Sequence, residues 1–132
     1  MAEDTPLQPP LAVYEQHLRE GRLAYQFSRV ANRAVFQPRI ACPWTGSTDL
    51  EWRISKGVGT VHAVTVVHGR EGPTHNVVLV DLDEGFRLMS RVDVPDPQAV
   101  RIGLRVRARI HAPEDGGLPY PVFEPLAEPG DA

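Results

Sequence analysis

Two pairs of residues in the N-terminal third of the sequence have the spacing of a metal site. Ser28 and Ala31, then Cys42 and Thr45, reproduce the spacing of the two Cys-x-x-Cys knuckles of a zinc ribbon. A structural zinc ion needs four donors in a tetrahedron, and each knuckle would present two of them. Alanine offers no donor, and the neutral hydroxyls of serine and threonine bind zinc poorly. The sequence therefore predicts a ribbon that keeps the frame of a zinc site and holds no zinc.

Apolar side chains are dense around these knuckles, and we expect them to stabilise the ribbon in place of a metal. Zinc binding in small metal-folded units is worth on the order of 10–16 kcal/mol. Burying one large apolar side chain contributes roughly 1.5–3 kcal/mol. The residues that could supply this packing are Phe27, Val30, Val35, Phe36, Trp44 and Trp52. Trp44 has two interpretations, either a plug that replaces the metal, which we favour, or an exposed anchor for a partner.

Alternating arginines form a second candidate site, in the stretch from residue 104 to residue 111. Arg105, Arg107 and Arg109 lie on one face of a predicted strand. Guanidinium groups bind phosphate in a forked geometry, so Arg105 and Arg107 are candidate contacts for the phosphates of coenzyme A. The simpler interpretation is a solvated strand face, since polar residues cover the outer side of a half-buried strand by default.

The sequence predicts no catalytic site. Two histidines that could face each other across a loop lack a nearby carboxylate ligand or a third imidazole, so exposed positions near strand ends are the simpler interpretation. The facing pair is His68 and His75, and the same interpretation applies to His62 and His111. Cys42 has no evident base beside it, and descent from a zinc knuckle explains it better than a nucleophilic role does.

Composition bounds the class of protein. The chain has 132 residues and a formal net charge of −3, which argues against a general binder of nucleic acid or anionic membranes, because such proteins carry a basic excess. One cysteine cannot form an internal disulfide, and no apolar run approaches ~20 residues. Because the start also lacks the basic and apolar segments of a signal peptide, we expect a cytoplasmic protein.

The elements that would position these residues are short and mostly strands, as many prolines and glycines indicate. A helix is predicted over 10–20, where Leu11, Tyr14 and Leu18 share one face and Gly21 ends it. That face either packs on its own domain, the simpler interpretation, or docks on a partner through Tyr14. Strands are predicted over 22–27, 34–38, 50–54, 60–68, 75–83, 86–92, 104–111 and 121–125, with one helical turn in the connector 95–103.

Together these elements predict a mainly β protein. The expected divisions are an N-terminal arm and helix (1–21), a metal-free ribbon (22–55), a five-stranded Greek-key barrel of the OB type (56–125) and a loose tail (126–132). A barrel is favoured because closure removes exposed strand edges. An open sandwich with a similar number of strands is the alternative.

The segments "FQPRIACPWTG", "HNVVLVDLDEGFRLMSRV" and "VRIGLRVRARI" together resemble a known family. It is the family of rubredoxin-like zinc-ribbon plus OB-fold proteins associated with acyl-CoA and thiolases, first described as domain of unknown function 35. The resemblance runs from about Leu11 to Pro125. The first segment keeps Pro38, Arg39 and Cys42 of the family's ribbon pattern, together with Pro43 and Gly46. Three of the four family zinc ligands are replaced, at Ser28, Ala31 and Thr45, so the zinc does not carry over.

The resemblance implies a non-catalytic accessory subunit. Its expected partner is a thiolase-superfamily enzyme, such as a thiolase, a hydroxymethylglutaryl-CoA synthase, a C-acyltransferase or an aldolase, with which it forms a hetero-oligomer that organises acyl-CoA. Tyr14 and Trp44 are the predicted partner anchors, and no cofactor is expected. A stand-alone acyl-CoA-binding protein is the first alternative. A nucleic-acid-binding OB fold is the second, and it is disfavoured because an acidic chain lacks the basic, aromatic-rich groove of such proteins.

Overall fold

The computed structural model describes residues 9–126, which begin with a helix and a small sheet. Helix α1 spans Pro10–Arg19 and ends before Gly21, which adopts a φ of 82°. The antiparallel strands β1 (Ala24–Ser28), β2 (Arg33–Val35) and β3 (Leu50–Ile54) follow, in the order β2-β1-β3. The predicted helix and three strands are confirmed. Strand β2 is shorter than predicted because Gln37 is left-handed, with a φ of 72°, and Pro38 has no N–H to donate.

The second sheet has five antiparallel-paired strands. They are β4 (Val58–Gly69), β5 (Gly72–Leu82), β6 (Arg87–Ser90), β7 (Arg105–His111) and β8 (Tyr120–Pro125), in the order β6-β5-β4-β7-β8. A short 3-10 helix, Pro97–Ala99, lies in the connector between β6 and β7, where one helical turn was predicted.

A parallel bridge between Val92 and Phe123 joins the two ends of this sheet. The Phe123 N–H donates to the Arg91 carbonyl at 2.9 Å, and the Asp93 N–H donates to the Phe123 carbonyl at 2.8 Å. Strands β6 and β8, the third and fifth of this sheet, are thereby brought side by side. The strand order and this closure are those of an OB barrel, so the predicted barrel is confirmed over the open sandwich.

Strand β4 pairs with β5 along one edge and with β7 along the other, and it carries a bulge. The register with β5 shifts between Val61 and Ala63, and the bulge increases the local twist. Gly59 lies where β4 passes closest to β5, and a Cβ added there would lie 2.5 Å from the Asp81 carbonyl oxygen. A residue with a side chain would therefore push the two strands apart.

The barrel interior is filled by alternating residues of these strands, among which Val61, Val78, Val80, Val106 and Phe123 are almost completely buried. An aromatic stack connects this core to the small sheet. The ring of Phe86 lies 4.9 Å from Tyr25 and 4.9 Å from Phe36, and Tyr14 meets Phe36 edge-on at 5.6 Å. Ribbon and barrel thus share one hydrophobic core. Within residues 9–126 we find no helix with the length and apolar character needed to cross a bilayer.

Candidate functional site

The structure brings together three of the four knuckle positions around the sulfur of Cys42. The Cys42 side chain is 2% exposed, and Ser28 is also buried. Burial by itself raises the pKa of the Cys42 thiol, but hydrogen bonds from the hydroxyls of Ser28 and Thr45 and from the backbone N–H groups of Trp44 and Thr45 outweigh it and lower the pKa to about 7. Ala31 contributes its backbone N–H, which donates to the Ser28 hydroxyl at 3.1 Å.

This donor set does not fit a structural zinc ion. One sulfur and two hydroxyls already satisfy one another, and the fourth position presents a methyl group. Across residues 9–126, no cluster of three or more His, Cys, Asp or Glu side chains could hold a metal ion. The knuckle positions are held together by hydrogen bonds to Cys42.

Residues 39–46, here called the knuckle loop, are held at both ends. The side-chain amide of buried Gln26 accepts from the Arg39 N–H and donates to the Arg39 carbonyl, both at 2.7 Å. At the other end the Cys42 N–H donates to the Ser47 carbonyl at 2.7 Å, and the Gly46 N–H donates to the Cys42 carbonyl at 2.8 Å. Gln26 therefore pairs with Arg39 much as a neighbouring strand would.

Trp44 lies at the tip of the knuckle loop, outside the site. Its side chain is 48% exposed, and the guanidinium of Arg33 stacks on the indole at 3.6 Å from the ring centroid. The prediction that Trp44 plugs the metal site is wrong, because Cys42 and its hydroxyl partners fill that space. The other interpretation, an anchor for a partner, stays a prediction.

The other apolar residues predicted to stabilise the ribbon differ in how deeply they are buried. Val35 is buried, whereas Phe27, Phe36 and Trp52 are half-buried and Val30 is exposed. The guanidinium of Arg53 covers the ring of Phe27 at 3.6 Å. Packing therefore stabilises the face of the ribbon that contacts the barrel, and polar contacts stabilise the knuckles.

Tyr14, the second predicted anchor, is half-buried against Phe36, and burial raises the pKa of its phenol to about 12. It lines a cavity of about 440 Å³ on the barrel together with Leu88, Met89 and Tyr120. Trp44 does not line this cavity. The two predicted anchors therefore belong to different parts of the surface, and the core-facing interpretation of the helix holds for Tyr14 and for buried Leu18.

The predicted phosphate contacts on β7 face carboxylates. Arg105 forms a two-pronged ion pair with Asp83, at 2.8 and 2.7 Å, and donates to the Thr60 hydroxyl at 2.9 Å. Arg107 is exposed and lies opposite Glu124 in the ladder with β8. This pattern is that of a solvated strand face, and the assignment of Arg105 and Arg107 to coenzyme A phosphates remains a prediction.

The histidines are spread over the barrel surface. His62 lies beside Asp81, with 3.4 Å between Nδ1 and Oδ2, and His75 contacts the Thr74 hydroxyl at 3.1 Å. His111 packs against Tyr120 at 5.2 Å between ring centroids. They share no common centre in the part of the chain that the structure describes.

Two buried amides were missed by the sequence interpretation. Gln26 positions the knuckle loop, and Asn76 connects three segments of the barrel. The Asn76 Oδ1 accepts from the Val92 N–H at 2.7 Å, and its Nδ2 donates to the carbonyls of Val92 and Pro97 at 3.1 and 3.3 Å. An available signal was the position of Asn76 on the inward face of β5, in register with Val78 and Val80.

Fold and site together define an OB-fold protein that carries an N-terminal ribbon with hydrogen-bonded knuckles. Residues 52–111 match the family described as the C-terminal OB-fold domain of ChsH2. Among solved structures, the chain is similar to "Ltp2-ChsH2(DUF35) aldolase", with 28% identity, a TM-score of 0.76, and coverage of 92% of this chain and 98% of that chain. The chain is thus similar to DUF35-type OB-fold proteins, the family that its sequence resembles.

A DUF35-family protein of unknown function from Sulfolobus solfataricus shares the fold, with 14% identity and a TM-score of 0.64 over 89% of this chain and 86% of that one. Two curated relatives are larger. The 3-oxo-4,17-pregnadiene-20-carboxyl-CoA hydratase alpha subunit of Mycobacterium tuberculosis is 32% identical over 63% of this chain and 28% of its own length. A probable enoyl-CoA hydratase alpha subunit of Thermomonospora curvata is 29% identical over 86% of this chain and 37% of its own length. The chain thus spans about a third of the length of the curated relatives it matches.

Proposed function

We propose that this protein is a non-catalytic, metal-free accessory subunit of an acyl-CoA-processing enzyme and that its partner is a thiolase-superfamily enzyme. The observation that carries the proposal is the similarity to Ltp2-ChsH2(DUF35) aldolase, which covers 98% of that chain. The names of the curated relatives, two alpha subunits of CoA-thioester hydratases, support a hetero-oligomer that acts on acyl-CoA. The proposal places this complex in the cytoplasm.

The side chains support a role without acid–base chemistry. Hydrogen bonds from Arg87 and Arg105 hold the pKa values of Asp81 and Asp83 below their usual range, so both carboxylates stay ionised near neutral pH and carry protons poorly. The Cys42 sulfur is buried and is not open to a substrate. The subunit would act by position, since holding a reactant in the right geometry lowers a barrier without a catalytic side chain.

Co-expression with a thiolase-superfamily enzyme from the same genome, and in parallel with Ltp2, tests the proposal. We expect a stable hetero-oligomer by size-exclusion chromatography with light scattering, and acyl-CoA turnover by the complex that the isolated chain does not show. Failure to associate with either enzyme, or turnover of a thioester by the pure chain, would overturn it.

Calorimetry separates the proposal from the stand-alone alternative. We expect the isolated chain to release no heat of binding with acetyl-CoA, because under the proposal the partner enzyme is needed to complete the acyl-CoA site. Tight binding of acetyl-CoA by the isolated chain would instead favour a stand-alone acyl-CoA-binding protein.

A further inference from the structure

We propose that the knuckle loop and the cavity beside it are the docking surface for the partner enzyme, and that the partner presents an apolar side chain flanked by acidic residues. This inference rests on the proposed function, which requires a partner but does not say where it binds. It assigns the contact to the ribbon and not to the barrel.

The knuckle loop presents large side chains on a fixed backbone. Ile40 is 75% exposed and Trp44 is 48% exposed, although both belong to a loop that Gln26 and Cys42 hold from either end. A loop that is already ordered before binding loses little conformational entropy on association. Tryptophan and arginine are also the residues that most often dominate the binding energy of an interface.

A cavity of about 350 Å³ lies next to this loop. Pro9 and Pro10 at the start of α1 form one wall, and Arg39 and Ile40 form the other. Leu50, Thr48 and Gln26 complete the lining. The cavity is mainly apolar and has room for a large side chain, so an apolar residue of the partner fits it better than a charged one does.

The charge of this surface indicates which side chains of the partner should surround its apolar residue. From Gly21 to Thr48 the sequence has four arginines and no aspartate or glutamate, although the chain as a whole carries −3. Glu20 neutralises Arg22, and Asp49 and Glu51 neutralise Arg29. The basic character of this surface therefore comes from Arg33 and Arg39. Arg39 is exposed at the edge of the cavity, and Arg33 is exposed on the face of Trp44. A basic surface on an acidic protein is complementary to acidic groups, which would steer the encounter and fix its orientation.

The Arg33–Trp44 stack also favours occupation by a protein surface. A cation–π pair is weak in water and becomes stronger when it is desolvated. A partner that covers the stack would therefore strengthen a contact that already exists in the free subunit. A small anion bound to Arg39 would leave the stack exposed and the cavity unfilled.

The test uses the full chain and immobilised Ltp2, with the thiolase-superfamily enzyme of the same genome in parallel. Substituting Ile40→Ser or Trp44→Ala should raise the dissociation constant about 10–30-fold, as expected for central interface residues. Arg39→Glu should slow association and make binding less sensitive to salt, because it removes a steering charge. All three positions are exposed, so the thermal midpoints of the variants should match that of the original protein.

Matched controls lie on the barrel. Ile102→Ser removes an isoleucine that is 69% exposed, and Arg101→Glu reverses an exposed charge. Both should change the dissociation constant less than twofold.

If the unmodified chain binds and the loop variants bind equally well, or if the control variants weaken binding as much, the inference is refuted while the proposed function stands. If the unmodified chain binds neither enzyme, the proposed function itself fails. If the partner binds Arg39→Glu normally while free coenzyme A or an oligonucleotide binds the loop of the unmodified chain and not that of Arg39→Glu, the loop is an anion site and the inference is also refuted.

Discussion

Replacement of Asn76 by alanine should destabilise the barrel more than any exposed substitution. The side chain of Asn76 is 1% exposed and makes three hydrogen bonds, at 2.7, 3.1 and 3.3 Å, to the backbone of Val92 and Pro97. Each hydrogen bond contributes about 1 kcal/mol to stability. Leaving the buried Val92 N–H without a partner adds a further cost of about 1 kcal/mol, the low end of the range for such a group. The expected loss in the free energy of unfolding is therefore about 3–4 kcal/mol.

Urea unfolding followed by circular dichroism and tryptophan fluorescence measures this loss. For a domain of this size the thermal midpoint should fall by about 10–15 °C. Thr74→Ala is the matched control on the same strand, because it removes only exposed contacts, to the Val67 carbonyl and to His75, and should cost about 0.5 kcal/mol or less. A loss below about 1 kcal/mol for Asn76→Ala, or losses equal to those of Thr74→Ala, would refute the view that Asn76 holds the barrel closure.

Three further predictions concern the core, the knuckle and the strand face. Phe86→Ala should cost about 3–5 kcal/mol, because Phe86 is buried against Tyr25 and Phe36. Unfolding should stay a single transition because Leu23, Tyr25 and Ala34 still pack in the core of the barrel, and two separated transitions in a calorimetric scan would contradict this. The folded pKa of Cys42, about 7, lies below its ordinary value of 9.0, so its contribution to stability is present above pH 9 and is lost as the pH falls through 7. The destabilisation by Cys42→Ala, measured by urea unfolding, should therefore be larger at pH 9 than at pH 6, and equal losses would disprove the assignment. Arg105→Ala should cost less than about 1 kcal/mol, because its ion pair with Asp83 is exposed, and a larger loss in chemical unfolding would mean that this pair is structural.

Local patterns in the sequence predicted most of the fold. Alternation predicted the strands of the barrel, and Gly21 correctly marked the end of the helix. The end of β2 was missed because it depends on the left-handed backbone of Gln37, a conformation that glutamine rarely adopts and that its sequence context did not indicate.

The candidate site was predictable in its positions and not in its contacts. The knuckle spacing located Ser28, Cys42 and Thr45 correctly as neighbours. It could not show that Trp44 turns outward, because that choice depends on Arg33, which lies eleven positions away in the sequence. Gln26 is likewise a long-range partner of Arg39, and pairs of this kind leave no periodic pattern to detect.

The barrel closure has a practical consequence for how the protein can be divided. The family match covers residues 52–111, which begin inside β3 and stop before β8. A fragment cut at those limits would lack Val122 and Phe123, two fully buried side chains, and would leave β7 with an open edge available to other molecules. The segment that matches the family, residues 52–111, is thus smaller than the unit that can fold. Expressed fragments should extend at least from α1 through Leu126.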